Sequence, residues 1–200
     1  PFVTKYLAST LVPGTSKLAI VMEYMAGGSA RHVVDESAAE SENGGGLGEG
    51  EISFITRDVL RALAYLHDEG KIHRDVKAAN VLLTADAEAR LADFGVSGQM
   101  THTLGARRKT FTGTPFWMAP EVIRHEPYSK SADVFSFGMI LFELLTHQLP
   151  FADQPALQAA VAVALAAARP PLPDRCPPAL ARLVSLCWAS ESSERPSFTY

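Results

Sequence analysis

The run Val134-Phe-Ser-Phe-Gly-Met-Ile-Leu-Phe-Glu-Leu-Leu145 is apolar almost all round. A helix of that kind has no face to offer water and belongs at the centre of a domain, enclosed by the rest of the chain. The 200 residues present are enough for one ordinary domain with a sizeable core. Ile52, Ile55, Val59, Leu63 and Leu66 recur at three or four residues and Gly70 supplies a stop, which predicts an amphipathic helix from Ile52. Ala156–Ala168 and Ala179–Trp188 read as two further helices, the latter with Leu180, Leu183, Val184 and Cys187 on one side. Pro170-Pro-Leu-Pro173 suits a connector between them better than a polyproline ligand. Two hairpins complete the frame. One joins Val3–Val12 to Leu18–Tyr24 through Pro13-Gly14, and the other joins Val81–Thr84 to Arg90–Asp93 through Ala85-Asp86-Ala87.

Several function classes drop out on composition. With 22 acidic and 18 basic residues the formal charge is −4, which provides no field for nucleic acid. The longest uncharged apolar run, Ala159 to Ala168, falls short of the roughly 18 residues of a membrane span. Cys176 and Cys187 have no ligand partner at zinc spacing and read as reduced packing thiols of a cytosolic or nuclear protein. Residues 35–51 are acidic and glycine-rich, with too little apolar side chain to offset ordering, and are expected to form a mobile surface insertion. Gly44-Gly45-Gly46 fits no phosphate-loop register, and the carboxylates around it repel phosphate. The chain opens on Pro1 without a secretory leader and closes on a helix-start signal, so both ends read as cut from something longer.

The chemistry is concentrated between residues 73 and 121. His73-Arg74-Asp75-Val76-Lys77-Ala78-Ala79-Asn80 fits H-R-D-x-x-x-x-N, Asp93-Phe94-Gly95 follows the second hairpin, and Ala119-Pro120-Glu121 closes a long stretch of little periodicity. Three signals in this order, each on a suitable element, are similar to those of the protein kinase family, and the resemblance runs from the first hairpin to the last residue. It implies an α+β, protein-kinase-like fold in which residues 1–25 are the last strands of the smaller lobe with the hinge, and 26–200 are the helical lobe. Phosphoryl transfer needs hard oxygen ligands for Mg²⁺, a cation near the transferring group and an acceptor for the substrate hydroxyl proton.

By resemblance, Asp75 receives and orients the substrate hydroxyl, Lys77 steadies the γ-phosphate of ATP, and Asn80 and Asp93 hold Mg²⁺. Met22 lies at the back of the adenine pocket, the backbone of Glu23 and Met25 faces the base, and Leu82 forms the apolar floor. Asp133 braces the catalytic loop, Glu121 and Arg195 form a structural ion pair, and Arg74 pairs with a phosphorylated activation segment. Thr114 belongs to the substrate-docking loop, Thr110 after Arg107-Arg108-Lys109 is the activating phosphorylation position, and Thr112 competes for that role. His32, His67, His102, His125 and His147 have no assignable partner and default to packing or surface.

The resemblance has two sides. Val96-Ser-Gly-Gln99 and Gly113-Thr-Pro-Phe-Trp-Met-Ala-Pro-Glu-Val-Ile123 look like the germinal-centre branch of sterile-twenty-like kinases, whereas Ser131–Leu145, Cys187-Trp188 and Glu194-Arg-Pro196 look like the tyrosine-kinase-like group. The expected activity is that of a cytoplasmic serine/threonine protein kinase using ATP and Mg²⁺, with protein substrates and an upstream kinase or self-phosphorylation. No glycine-rich loop or Val-Ala-Ile-Lys strand occurs, and Lys5 and Lys17 lie on the wrong elements, so these residues alone are expected to be inactive. A partner-binding pseudokinase is the rival reading; intact Asp75, Lys77, Asn80 and Asp93 weigh against it. A small-molecule kinase fits less well, because the long docking segment suits a peptide.

Overall fold

The computed structural model describes residues 2–40, 47–92 and 115–198. Strands β1 (Tyr6–Leu11) and β2 (Leu18–Met22) pair antiparallel, with a register shift between Tyr6 and Ala8. Helices α1 (Ala30–Glu40) and α2 (Glu49–Asp68) follow, then the short strands β3 (Val81–Leu83) and β4 (Ala89–Leu91), also antiparallel. Helix α3 (Pro120–Ile123) leads into α4 (Ser131–Thr146), α5 (Ala156–Leu165) and α6 (Pro178–Cys187). Helices dominate and the strands form two hairpins, an α+β arrangement.

Helix α4 occupies the centre, with every residue from Ala132 to Leu144 buried. Helices α1, α2 and α6 and the turns at 78–80, 115–117 and 192–194 pack around it. The end of α6 packs closely on Gly138: a Cβ there would lie 2.6 Å from the Trp188 indole nitrogen and 3.0 Å from the Cys187 Cβ, so a larger residue would have to displace Trp188.

The apolar stripe of α2 faces this core, with Ile52, Ile55, Val59, Leu63 and Leu66 all buried. At its start the Glu51 carboxylate accepts from the Gly48 N–H at 2.7 Å. At its end Gly70 takes φ +70° and donates to the His67 carbonyl, while the Lys71 N–H reaches the Leu66 carbonyl at 2.8 Å. Those two bonds close a Schellman motif, which requires the left-handed conformation that glycine adopts freely. The chain thus leaves α2 in a fixed direction, into the loop that carries residues 73–80.

The expected insertion at 35–51 needs correction. Residues 35–40 lie in α1 and 49–51 in α2, while Leu47 is buried in the core; 41–46 lie outside the described residues. The acidic residues at either end are accommodated by local pairing. In α1 Arg31 pairs with Asp35 and His32 with Glu36, one helical turn apart, and Val34 is fully buried. Helix α2 accordingly starts three residues before the expected Ile52, and α5 stops at Leu165, short of Ala168.

The first residues bind the two hairpins together. Val3 bridges Leu91 in parallel, with the Leu91 N–H donating to the Phe2 carbonyl and the Thr4 N–H to the Leu91 carbonyl. Ser29 bridges Leu82, so the segment after β2 lies along β3.

Candidate active site

The loop from 71 to 80 has its shape imposed from below by a buried carboxylate. Asp133, on the first turn of α4, accepts from the His73 N–H at 2.8 Å, the Arg74 N–H at 2.9 Å and the His67 Nε2 at 2.8 Å. Arg74 has φ +74°, a left-handed conformation that costs a non-glycine residue roughly 1–2 kcal/mol. Two backbone amides converging on one carboxylate over-determine that turn. His73 fixes the next step, donating from Nε2 to the Ala92 carbonyl at 2.9 Å while its Nδ1 accepts from the Asp75 N–H at 3.3 Å. Together these bonds select the Nε2–H tautomer.

Beyond His73, side chains alternate between core and cleft. Val76 and Ala78 are fully buried, whereas Asp75 and Lys77 are partly exposed. Lys77 Nζ lies 3.1 and 2.8 Å from the two carboxylate oxygens of Asp75. Asn80 Nδ2 donates to the Asp75 carbonyl and to its Oδ2, both at 2.8 Å. Because both bonds use the amide nitrogen, the Asn80 Oδ1 points away from Asp75, as a hard oxygen donor suited to a divalent cation. The Ala92 N–H donates to the Asn80 carbonyl at 2.8 Å, so the chain is tied to this loop one residue before Asp93. Asp93 itself, with Thr110, Thr112 and Thr114, lies outside the described residues.

The candidate adenine-facing residues lie on β2, on the segment that follows it and on β3. Met22 ends β2, Met25 is buried, and Leu82 is the middle residue of β3. Glu23 links the two hairpins: its carboxylate accepts from the Lys5 N–H at 2.7 Å and from Arg90 Nη1 at 2.5 Å, and Arg90 is the cross-strand partner of Leu82. The Lys5 amide, then Arg90, holds the Glu23 carboxyl below its usual range. The Glu23 N–H is spent on the Lys5 carbonyl, and the Gly28 N–H donates to the Met25 carbonyl.

Glu121 and Arg195 form a buried bidentate pair at 2.6 and 2.8 Å. Arg195 also donates to the carbonyls of Ala189, Ser131 and Ser190, which engages all five of its N–H donors. Arg74 remains exposed, its guanidinium 5.7 Å from the Tyr128 ring centre.

Sequence reasoning left His67 without a partner and passed over the roles of Trp117 and Glu143. Glu143 is fully buried and accepts from the Trp117 indole at 2.7 Å and the Ala78 N–H at 3.2 Å. A signal was present, since it is the only charged residue from Val134 to Thr146. Burial pushes its carboxyl up to about 7 from 4.5, against the opposing pull of these hydrogen bonds and of Arg31 and Lys77. The folded state therefore holds a proton that the unfolded chain has already lost between those pH values, so stability falls as pH rises through that window and stays low above it. Glu143→Gln should remove this slope. Relative to pH 5, it should gain on the order of 3 kcal/mol over wild type by pH 8; parallel unfolding curves at the two pH values would sink the assignment. His147, left unassigned from sequence, accepts from the Leu47 N–H through Nε2 at 3.2 Å. Burial also pushes the Cys187 thiol up to about 12, which suits a packing residue.

Comparison with known proteins supplies the context for this geometry. The family model described as "Protein kinase domain" matches residues 2–200. Serine/threonine/tyrosine-protein kinase HT1 of Arabidopsis thaliana is 39% identical over 199 residues, covering 100% of this chain and 49% of its own length. Serine/threonine-protein kinase cst-1 of Caenorhabditis elegans is 46% identical over 152 residues, covering 76% of this chain and 29% of its own. Serine/threonine-protein kinase STY46 of Arabidopsis thaliana is 40% identical over 182 residues, or 91% of this chain and 30% of its own. The chain thus spans about half or less of the length of these relatives. No helix among the described residues is long and apolar enough to cross a membrane.

Proposed function

This chain belongs to the protein kinase family, and from that premise we propose that it carries the catalytic loop and helical lobe of a cytoplasmic serine/threonine protein kinase that transfers the γ-phosphate of ATP to protein hydroxyls. The observation that carries the reading is the convergence of Lys77 and Asn80 on Asp75. Asp75 is held by two donors with its carboxylate still partly exposed, poised to accept the proton of a substrate hydroxyl. Lys77, beside it, offers a positive charge to the transferring group, and serine or threonine as acceptor agrees with a lysine at this position. Asn80 presents Oδ1 for Mg²⁺, with Asp93 as the second ligand. Magnesium-ATP, when bound, supplies the phosphoryl group and neutralises its charge. Met22, Met25 and Leu82 provide the apolar surface for adenine, and the backbone of Glu23 and Met25 its hydrogen bonds. Asp133 holds the loop in shape, and the Glu121–Arg195 pair anchors the segment that follows Trp117.

The test is incorporation of labelled phosphate from ATP into a generic basic protein by the full-length protein. Label on serine and threonine is the expected result; incorporation no higher than in Asp75→Asn would refute the reading. These 200 residues by themselves, lacking a glycine-rich loop and a lysine-bearing strand, should show none.

Activation by phosphate on Thr110 follows from the same reading, with an upstream kinase or the protein itself as donor. A phosphothreonine adds roughly −1.5 to −2 charge, and the exposed Arg74 guanidinium is available to receive it. Thr110→Ala should lower the activity of the full-length enzyme at least about tenfold, the equivalent of one lost charge-assisted bond. If Thr112→Ala produces that loss and Thr110→Ala does not, the assignment moves to Thr112.

A further inference from the structure

We propose that His147 is an acid-sensitive latch on the start of α2, which holds Leu47 in place as a neutral ring and releases it as an imidazolium. His147 ends α4 in the left-handed conformation, with φ 58° and ψ 15°, and its N–H donates to the Glu143 carbonyl at 2.8 Å. A helix end of this shape favours glycine, and a side chain there costs roughly 1–2 kcal/mol. The imidazole has a use that offsets the strain. Its Nε2 accepts from the N–H of Leu47, 100 residues earlier in the chain, at 3.2 Å. That bond fixes the tautomer, so the neutral ring carries its proton on Nδ1 and hydrogen-bonds the Leu144 backbone.

Leu47 stands at a junction. It is buried, directly precedes the Gly48 cap of α2, and lines two apolar cavities at once. One cavity lies against Val33, Ile55 and Leu83, and the other against Ile52, Leu141 and Leu180. Two consecutive amides thus fasten the first turn, Leu47 to the imidazole and Gly48 to the Glu51 carboxylate. An imidazolium has two donors and no acceptor, so protonation sets the Leu47 N–H against another N–H. Among the described residues, Arg175 on the segment before α6 and Arg31 on α1 are the charged groups that face the ring; α2 brings the Leu47 amide and α4 the Leu144 backbone. Arg31 also donates to the His147 carbonyl at 3.4 Å. Burial, then these two cations, hold the ring below its usual value of 6.5. The opened segment therefore takes up a proton before the closed one does. The latch is at full strength above about pH 6.5 and weakens as pH falls below it.

Amide hydrogen exchange on the full-length protein tests this, with rates corrected for the direct effect of pH on exchange. Between pH 7.5 and 5.5 the segment from Leu47 to Ile52 should open about fivefold more readily, while residues 60–66 of the same helix keep their protection. His147→Gly relieves the backbone strain and so preserves the end of α4, but it has no ring. Its 47–52 segment should open at pH 7.5 at least as readily as the wild type does at pH 5.5, with no further change on acidification. His147→Asn, which tolerates the left-handed region, should do the same. Glu143, whose carboxyl titrates near pH 7 and which faces Arg31, is intact in both variants, so a step that survives in them has another origin and overturns the proposal. Wild-type exchange within about twofold at the two pH values, or loosening spread evenly along α2, overturns it as well.

Discussion

Asp75→Asn in the full-length enzyme should cut phosphoryl transfer by about 10²–10⁴-fold, the usual contribution of a positioned general base. The substitution preserves size but not chemistry. The carboxylate receives Lys77 on both oxygens and Asn80 on one, so among the described residues its side-chain partners are donors. An asparagine would turn an amide N–H₂ toward the Lys77 ammonium or the Asn80 amide, losing the proton acceptor and setting donor against donor. Folding should be little affected, because Asp75 is partly exposed and its backbone is fixed separately by His73 and Asn80. The measurement is kcat with ATP and protein substrate saturating, alongside thermal unfolding. A variant with kcat within about threefold of wild type would remove Asp75 from the catalytic role.

Arg195→Met should destabilise the protein by about 3–5 kcal/mol, the usual cost of removing one partner from a buried ion pair. For a chain of this size that amounts to a fall in Tm of roughly 6–20 °C. Glu121, 6% exposed, would lose its ion-pair partner, and the carbonyls of Ala189, Ser131 and Ser190 would each lose a donor. The Phe135 ring, which lies under both Arg195 at 5.2 Å and Arg169 at 4.9 Å, would keep only the second. Glu121→Gln combined with Arg195→Met should recover part of the loss, because it removes the stranded charge as well. Thermal unfolding of the two variants decides it. A single variant within about 1 kcal/mol of wild type would mean that the pair contributes geometry and little energy.

The elements legible in the sequence are those with a strong local rhythm. Helix α4 declared itself by its apolar run and α2 by its spacing and its Gly70 stop, and both hairpins by their turn residues. Helix α1 did not, because among its described residues Ala30 and Val34 are the only fully buried apolar positions, and it is otherwise held by Arg31–Asp35, His32–Glu36 and packing on the 78–80 turn, β3 and α4. His67 and Glu143 escaped for another reason. Their partners are 66 residues away at Asp133, and 26 and 65 residues away at Trp117 and Ala78, so nothing in the local sequence signals the pairing. The grouping of Asp75, Lys77 and Asn80 was legible because they belong to one motif of eight consecutive positions, and their side chains do meet.

The bonds from Asp133 to His73 and Arg74 have a consequence for how this protein can change over generations. Both involve backbone amides, 60 and 59 residues away along the chain, so they are indifferent to which side chains the loop carries there. The instruction for the loop's shape is stored on α4 and its chemical vocabulary on the loop itself. On the activation proposed above, drift at position 74 retunes the switch while the backbone geometry of the loop is inherited intact. A single change at 133 could erase that geometry from a loop whose own letters are all unaltered.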